Sequence, residues 1–127
     1  MIIFFKYIFN ISILFLIIIS VYPGSLLGFF LYGDFSKQPN LVPNPFGTTI
    51  NHFIYYFYVS LLGFFVYLKT EKFKQLVYSL FFLSIILESL HLIVPNRSFQ
   101  IGDLLGNILG VIVAYSLLKI YLFLDRT

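Results

Sequence analysis

Four apolar runs, each close to the length of a membrane-crossing helix, constrain this chain more than any other feature. They cover residues 2–22, 50–68, 76–94 and 98–124. A hydrocarbon core about 30 Å thick demands about 20 consecutive, mostly apolar residues in a helix. Because 60% of the residues are apolar and only 10% are charged, the chain has too few polar side chains to cover a surface that faces water. We therefore predict an all-α integral membrane bundle of four transmembrane helices, formed as a single domain by residues 1–127.

The segments around the first span allow more than one interpretation. A cleaved signal peptide is one alternative, since the apolar stretch 11–19 has a suitable length. No Ala-x-Ala-like site follows it, so the sequence favours a helix that is retained. Residues 25–32 are apolar but too short to span, and are expected to extend the first helix or to lie at the interface. Residues 33–49 form a loop, because Pro39, Pro43 and Pro45 break helices and strands.

The basic residues predict the orientation. Four spans place both termini on one side, together with the turn at residues 69–74. That side then carries six of the eight basic residues, namely Lys6, Lys69, Lys72, Lys74, Lys119 and Arg126. The other side carries Lys37 and Arg97. Because cytoplasmic loops are enriched in Lys and Arg, we predict that both termini are cytoplasmic in a multi-pass protein of the bacterial cytoplasmic membrane.

Polar side chains gather at the outer ends of the last three spans. The set comprises His52, Glu88, His91, Arg97, Asp103 and Asn107. At about 100° per residue, Ser84, Glu88 and His91 share one face of the third span, and Asp103 and Asn107 share one face of the fourth. Ionisable groups inside a span cost about 2.5–3.5 kcal/mol each, so they mark a site or a buried partner by default. We predict that Glu88, Arg97 and Asp103 lie within contact range of one another, directly or through water.

Two further patterns concern packing. Gly102, Gly106 and Gly110 recur every four residues on the fourth span, and small residues at that spacing let helix backbones approach closely in lipid. The short turn containing Pro95 predicts that the third span is the partner of this glycine stripe. The tyrosines at positions 55, 56 and 58 are expected to form an aromatic belt at the membrane interface, and the alternative is that they line the site.

Composition excludes several kinds of site. The chain has no cysteine, which excludes disulfides, thiolate metal sites and cysteine nucleophiles. Its net charge of +3 comes from lysines at the ends of apolar runs and does not indicate nucleic-acid binding. His52, His91, Glu88 and Asp103 are plausible metal ligands, but Glu-x-x-His occurs once, not twice as in di-iron bundles. No metal and no other cofactor is therefore expected.

The order of the polar residues resembles the VanZ-like family, small bacterial membrane proteins named after a teicoplanin-resistance protein. The resemblance rests on His52-Phe53, Tyr56, Gly63, Glu88-x-x-His91, Pro95-Asn-Arg97-Ser-Phe, Asp103 and Asn107-x-x-Gly110, and covers roughly residues 48–115. Two positions depart from it: Thr48 and Thr49 replace an acidic-basic pair, and His91 replaces a glutamine. The resemblance implies a four-helix envelope protein with a role near cell-wall or glycopeptide-antibiotic biology, and it implies no particular reaction.

Three functions remain open beside a purely structural role for the buried charges. In the first, Arg97 with His52 or His91 binds an anionic lipid or lipid-linked phosphate, and Glu88 and Asp103 orient these cations or contact sugar hydroxyls. In the second, an intramembrane enzyme uses Glu88 or Asp103 as general base and His91 or His52 as acid. In the third, the carboxylates relay protons in a transporter, for which a homo-oligomer would supply the path. The expected partners are membrane lipids.

Overall fold

The computed structural model describes residues 1–125, and all of its regular elements are helices. These are α1 (Ile2–Val21), α2 (Leu26–Tyr32), α3 (Thr49–Tyr67), α4 (Phe73–Leu90) and α5 (Ile101–Leu124). Four of them, α1, α3, α4 and α5, are long and apolar enough to cross a membrane, and residues 1–125 contain no β-strand. The prediction of an all-α bundle with four spans is therefore confirmed. Arg126, which entered the charge balance, lies outside the described residues.

The long helices run alternately up and down. Phe5 near the start of α1 packs edge-on against Phe65 near the end of α3, with ring centroids 5.3 Å apart. At the other end, the carbonyl oxygen of Ser20 lies 3.1 Å from His91 Nε2. The loops at residues 22–48 and 91–100 therefore share one end of the bundle, which we call the polar end. Between the ends lies an apolar core formed by Phe9, Leu16, Tyr56, Val59, Phe64, Leu80, Leu87, Val111 and Ala114.

The glycine stripe of α5 lies against α3, so the predicted partner α4 was wrong. A Cβ atom on Gly106 would lie 2.6 Å from the carbonyl oxygen of Thr49. On Gly110 it would lie 2.7 Å from the carbonyl oxygen of Phe53 and 2.8 Å from the backbone nitrogen of Phe57. A short connection makes α4 and α5 neighbours but does not decide which face of α5 meets α4. The stripe instead permits the backbone contact between α3 and α5, two helices that run in the same direction.

α4 ends at Leu90, four residues before the predicted end at Val94. The amide groups of His91, Leu92 and Ile93 each bond to the carbonyl three residues earlier, which tightens the chain into turns. Pro95 disfavours the helical conformation at the residue before it. Because α5 begins at Ile101 rather than at residue 98, the connection is long enough to fold back over the ends of α1 and α4.

The segment between α1 and α3 closes one side of the polar end. Ser25 caps α2 by accepting a 2.9 Å hydrogen bond from the amide of Gly28, and Gly33 ends α2 with a φ of 67°. Asn51 then holds the following loop, since its Nδ2 donates to the carbonyl of Pro39 at 2.7 Å and its Oδ1 accepts from the amide of Leu41 at 3.1 Å. Residues 25–32 thus form a separate short helix, not an extension of α1.

Candidate functional site

A half-open cavity of about 110 Å³ lies at the polar end, and we call it the polar pocket. One wall is apolar and comes from α1 and α2, with Leu16, Ile19, Leu26 and Leu27. The facing polar wall comes from α3, α4, α5 and the 91–100 connection, with His52, Glu88, His91, Arg97 and Asn107. Five of the six predicted site residues therefore line one cavity. The sixth, Asp103, lies beside His52 with its Oδ2 3.4 Å from His52 Nε2.

The helical spacing predicted correctly which side chains turn inward. Glu88 and Asn107 are each 1% exposed, Asp103 is 3% exposed and His91 is 5% exposed. Ser84, one turn before Glu88 on α4, is fully buried. A Glu88 side chain that faced lipid would have contradicted a site at this position. Burial of this many polar groups in a helical bundle requires partners for each of them.

His52 occupies the centre of the cluster and touches three acceptor groups. Its Nδ1 lies 2.9 Å from Asn107 Oδ1 and 3.8 Å from Glu88 Oε2, and its Nε2 faces Asp103 Oδ2. Asn107 Nδ2 donates to the carbonyl of Ser84 at 3.3 Å, which leaves Oδ1 of the same amide to face the histidine. Because an amide oxygen only accepts, Nδ1 of His52 carries a proton. The hydrogen bonds thus fix one proton on the ring and turn Nε2 toward a carboxylate.

Asp103 is oriented by Thr48, the residue before α3, and by Thr49, the first residue of α3. Thr48 Oγ1 donates to Asp103 Oδ1 at 3.2 Å and to Oδ2 at 3.0 Å, and Thr49 Oγ1 donates to Oδ1 at 3.1 Å. Asp103 also lies in the first turn of α5, where the helix dipole stabilises a negative charge. Sequence reasoning missed both threonines as site residues. The signal was their position three and four residues before His52, on the face that meets α5.

Glu88 has one satisfied and one unsatisfied carboxylate oxygen. Its Oε1 accepts a 3.1 Å hydrogen bond from the backbone amide of Gln100 and lies 3.3 Å from His91 Nδ1. Its Oε2 is buried without a hydrogen-bond partner among the described residues, and His52 Nδ1 lies 3.8 Å from it. A buried, unpaired carboxylate oxygen costs free energy, so it requires an explanation beyond packing.

His91 joins α4 to α1. Its Nε2 donates to the carbonyl of Ser20 at 3.1 Å, because a carbonyl oxygen only accepts, and its Nδ1 faces Glu88 Oε1. Both ring nitrogens are therefore engaged. In this arrangement the ring has no free nitrogen with which to accept a proton from a substrate.

Arg97 contacts the end of α1 and not the carboxylates. Its Nη2 donates to the carbonyl of Ile19 at 2.5 Å and its Nε to the carbonyl of Tyr22 at 3.4 Å. Within residues 1–125, no carboxylate oxygen lies within 4 Å of the guanidinium. Burial lowers the pKa of Arg97, while the charges of Glu88 and Asp103 act in the opposite direction. The prediction allowed contact directly or through water, and among residues 1–125 the direct contact of Arg97 with the two carboxylates is absent. A positive side chain at the C-terminal carbonyls of α1 is favoured by the helix dipole.

The tyrosines differ from the predicted belt at the membrane interface. Tyr56 is 1% exposed, and its hydroxyl donates to the carbonyl of Leu83 on α4 at 3.3 Å. The Tyr55 hydroxyl donates to the carbonyl of Ser12 on α1 at 3.1 Å, and both rings line the polar pocket. Of the three, Tyr58 is exposed. Tyr55 and Tyr56 therefore position α1 and α4 around the pocket.

Toward the opposite end, the buried polar groups stop. In the described part of the chain, Ser60 is the buried polar side chain that lies deeper on α3, and its hydroxyl has no hydrogen-bond partner. At about 1.5 Å per residue, Ser60 lies about 12 Å along the helix from His52. A proton relay needs closely spaced ionisable groups. This arrangement thus favours a local site at the polar end over a path through a single bundle.

Comparisons with known proteins place the whole bundle in one family. The family model described as VanZ/LLP1 matches residues 2–123, which extends the resemblance found in residues 48–115 to α1 and α2. A search of curated proteins and a search of solved structures each found no match. Since the matched region includes all four spans and every residue of the polar cluster, the chain belongs to the VanZ/LLP1 family.

Proposed function

We propose that this protein binds the headgroup of an anionic lipid or lipid-linked envelope precursor in the polar pocket, and thereby affects the response of the cell envelope to glycopeptide antibiotics. The observation that carries the proposal is the pairing of an apolar wall with a polar wall at one end of a membrane bundle. An acyl or prenyl chain fits the apolar wall of α1 and α2. The polar group attached to it then meets His52, Glu88 and Arg97.

The size of the pocket limits its occupant. Pockets that enclose a drug-sized ligand have volumes of about 300–1,000 Å³. A cavity of about 110 Å³ holds a single small polar group, such as a phosphate or part of a sugar. The rest of the ligand lies outside, toward the lipid. An entire glycopeptide antibiotic is too large, so an effect on such a drug runs through the lipid precursor and not through binding of the drug.

Charge supports an anionic group with hydroxyls nearby. Arg97 uses Nε and Nη2 for α1 carbonyls, and its Nη1 has no hydrogen-bond partner among residues 1–125. A guanidinium presents donors at geometry that suits a phosphate. The unpaired Glu88 Oε2 accepts a hydrogen bond from a sugar hydroxyl. The proposed ligand therefore supplies what the polar wall lacks, an acceptor for Arg97 and a donor for Glu88.

The orientation belongs to the same proposal, because a lipid-linked precursor of the cell wall must be reached from the outer leaflet. We place the polar end outside and the basic turn at residues 69–74 in the cytoplasm. Cysteines introduced at Lys72 and Asn96, in a chain that has none of its own, should react with a membrane-impermeant reagent from opposite sides. Labelling of Asn96 from the cytoplasm alone would reverse the orientation and move the site to the inner leaflet.

The direct test is lipid binding by the purified protein in nanodiscs. We expect native mass spectrometry to detect retained phosphatidic acid or a polyprenyl phosphate, and much less retained phosphatidylcholine. Arg97→Lys should weaken retention of the anionic lipids about tenfold or more, because lysine keeps the charge but loses the planar fork. Lys37→Gln is the matched control, since Lys37 is an exposed cation of the adjacent loop that does not line the pocket.

Equal loss of anionic lipid in Arg97→Lys and Lys37→Gln would mean that general surface charge holds the lipid, and the proposal would be wrong. Melting curves of both variants are needed, because Arg97 also bonds to α1. A folded Arg97→Lys protein that retains the lipid as well as the parent protein does would also overturn the proposal.

An intramembrane enzyme is the second candidate, and the unpaired Glu88 Oε2 is the observation that favours it. A buried carboxylate beside a pocket is a suitable general base. Because both ring nitrogens of His52 and of His91 are engaged, Glu88 is the better candidate base than either histidine. Incubation with a polyprenyl-linked substrate distinguishes the two functions: an enzyme releases a product that Glu88→Gln abolishes, whereas a binding protein returns the lipid unchanged.

A further inference from the structure

We propose that His52, Glu88 and Asp103 bind a divalent first-row metal ion, such as Zn²⁺ or Mn²⁺, at the base of the polar pocket. One ring nitrogen of His52 and one oxygen of each carboxylate lie within 4.8 Å of one another. Metal–ligand distances of about 2.0–2.2 Å separate two ligand atoms by about 3.4 Å in a tetrahedral site and by about 4.4 Å when they lie opposite each other. The limit of 4.8 Å is slightly above these separations, so a small inward movement of the side chains would bring the three atoms to coordination distance.

The contact between His52 and Asp103 has the spacing of two ligand atoms of one metal ion. Asn107 Oδ1 accepts from Nδ1 of His52, so Nε2 is the ring nitrogen that faces Asp103 Oδ2, at 3.4 Å. That distance equals the edge expected of a tetrahedral site. Glu88 Oε2 lies 3.8 Å from Nδ1 of the same ring, so one ligand atom from each of the three side chains lies within the same small cluster.

Each proposed ligand is held from outside the cluster. His52 is held by Asn107, Asp103 by the hydroxyls of Thr48 and Thr49, and Glu88 by the amide of Gln100. These are the outer partners that orient ligands in known metal sites, where the second ring nitrogen of a ligating histidine donates to an oxygen. On Glu88 this leaves Oε2, buried, without a hydrogen bond and 3.8 Å from the His52 ring.

The donor set selects the class of metal. One imidazole with two carboxylates suits Zn²⁺, Mn²⁺ or Fe²⁺, and the absence of cysteine from the sequence excludes the thiolate sites that Cu(I) prefers. Three protein ligands leave coordination positions open toward the pocket. The metal ion and the sugar hydroxyl of the proposed ligand would both use Glu88 Oε2, so metal binding is measured without added lipid ligand. A bound divalent ion would place a second positive charge near Arg97, facing the same pocket.

The experiment uses the full chain in detergent, stripped with EDTA and then titrated with Mn²⁺ alone. We expect about one tightly bound Mn²⁺ per chain, and pulsed EPR of the bound ion should detect the nitrogen of one imidazole. His52→Gln and Asp103→Asn should each weaken binding by about 100-fold or more, since loss of outer partners alone costs about 10–100-fold. Asp34→Asn is the matched control, because Asp34 is a loop carboxylate that accepts hydrogen bonds from Ser36 and lies outside the cluster.

Melting curves in EDTA establish that each variant is folded before its metal affinity is compared. Absence of a stoichiometric Mn²⁺, or equal affinity in His52→Gln and the parent protein, would overturn the proposal. If the variants fail to fold, the parent protein still decides: bound Mn²⁺ without imidazole nitrogen coupling places the ion elsewhere. Loss of metal with lipid binding retained would remove the metal site and leave the proposed function standing.

Discussion

The glycine stripe and the polar cluster join the same two helices, α3 and α5, in opposite ways. At the stripe, backbone meets backbone, and a single methyl group on Gly106 or Gly110 would collide with main-chain atoms of α3. At the same depth, on the adjacent face of α5, Asp103 and Asn107 hold His52 of α3 through side chains beside a cavity of about 110 Å³. The first contact excludes everything else, whereas the second leaves room for a ligand.

The difference separates a contact that only packs two helices together from a contact that can also bind a ligand. At Gly106 and Gly110 the nearest atoms of α3 are main-chain atoms and apolar side-chain atoms, so this packing leaves no side-chain polar atom to satisfy. The polar cluster is nearly satisfied, yet it retains a buried carboxylate oxygen, and leaving such a group unpaired costs about 1–3 kcal/mol. Interhelical hydrogen bonds in membranes contribute about 0.6 kcal/mol on average, which does not offset that cost easily. We infer that the glycine stripe sets the distance between α3 and α5, and that the polar cluster forms a binding site between helices held at that distance.

The largest expected effect comes from filling the stripe. Gly106→Leu should prevent α3 and α5 from approaching, because the Cβ atom alone would lie 2.6 Å from the carbonyl oxygen of Thr49. Overpacking of this kind costs about 1–3 kcal/mol and occasionally more, and here backbone atoms cannot move aside as a side chain would. We expect a sharp fall in the amount of folded protein, measured by fluorescence-detected size-exclusion chromatography and by thermal unfolding.

The control adds bulk at an exposed position in the same turn of α5. Leu105 is 53% exposed on α5, so Leu105→Phe should accumulate and melt as the parent protein does. A Gly106→Leu protein with unchanged abundance and melting temperature would contradict the close α3–α5 contact. It would also remove the basis for the comparison between the two regions.

The sequence predicted the features that depend on local chemistry. Run length and hydropathy predicted four spans, because a membrane-crossing helix must satisfy its own backbone. The 3.6-residue period predicted that Glu88 and His91 on α4, and Asp103 and Asn107 on α5, turn inward. The motif order also predicted the family. Each of these inferences uses residues within one helix or a fixed length of chain.

Features that depend on how helices are arranged were missed or wrong. The partner of the glycine stripe is α3. Any of the other three long helices could pack against the glycine face of α5, and adjacency in sequence does not determine which one does. Arg97 bonds to carbonyls of Ile19 and Tyr22, and backbone acceptors carry no sequence signature. In the sequence, Thr48 and Thr49 stand out only as departures from the family pattern. Their role in holding Asp103 becomes visible once α5 is docked beside them.

The second prediction separates fold from function at Glu88. Glu88→Gln keeps an oxygen that accepts from the amide of Gln100, and it changes an atom that has no hydrogen-bond partner. We therefore expect a folded protein whose melting temperature differs little from the parent. Any teicoplanin protection that the parent protein gives to a sensitive bacterial host should fall to the level of the empty vector, because the pocket has lost its negative charge.

Glu71→Gln is the control for that experiment. Glu71 is an exposed carboxylate in the basic turn at the other end of the bundle, so the same chemical change there should leave protection intact. A Glu88→Gln protein that loses abundance or melts many degrees lower, with protection falling only in proportion, would assign Glu88 to structure. The polar cluster would then stabilise the helix bundle, as the glycine stripe does, and would not bind a ligand.

The smallest expected effect concerns the threonines that connect the two regions. Thr49 touches the stripe through its carbonyl oxygen and Cγ2, and it touches the cluster through the hydroxyl that donates to Asp103. Thr49→Val keeps the branched shape against Gly106 and removes only the hydrogen bond. We expect a loss of about 1 kcal/mol in the free energy of unfolding, within the range of interhelical hydrogen bonds in membranes, since Thr48 still donates to the same carboxylate.

Thr70→Val is the matched control, because the Thr70 hydroxyl donates to a neutral carbonyl at the exposed opposite end. The loss at Thr49 should also disappear when Asp103 is already Asn, as a double-mutant cycle measures directly. If Thr49→Val costs the same in both backgrounds, the hydroxyl does not act through Asp103, and Thr49 belongs to the packing interface alone.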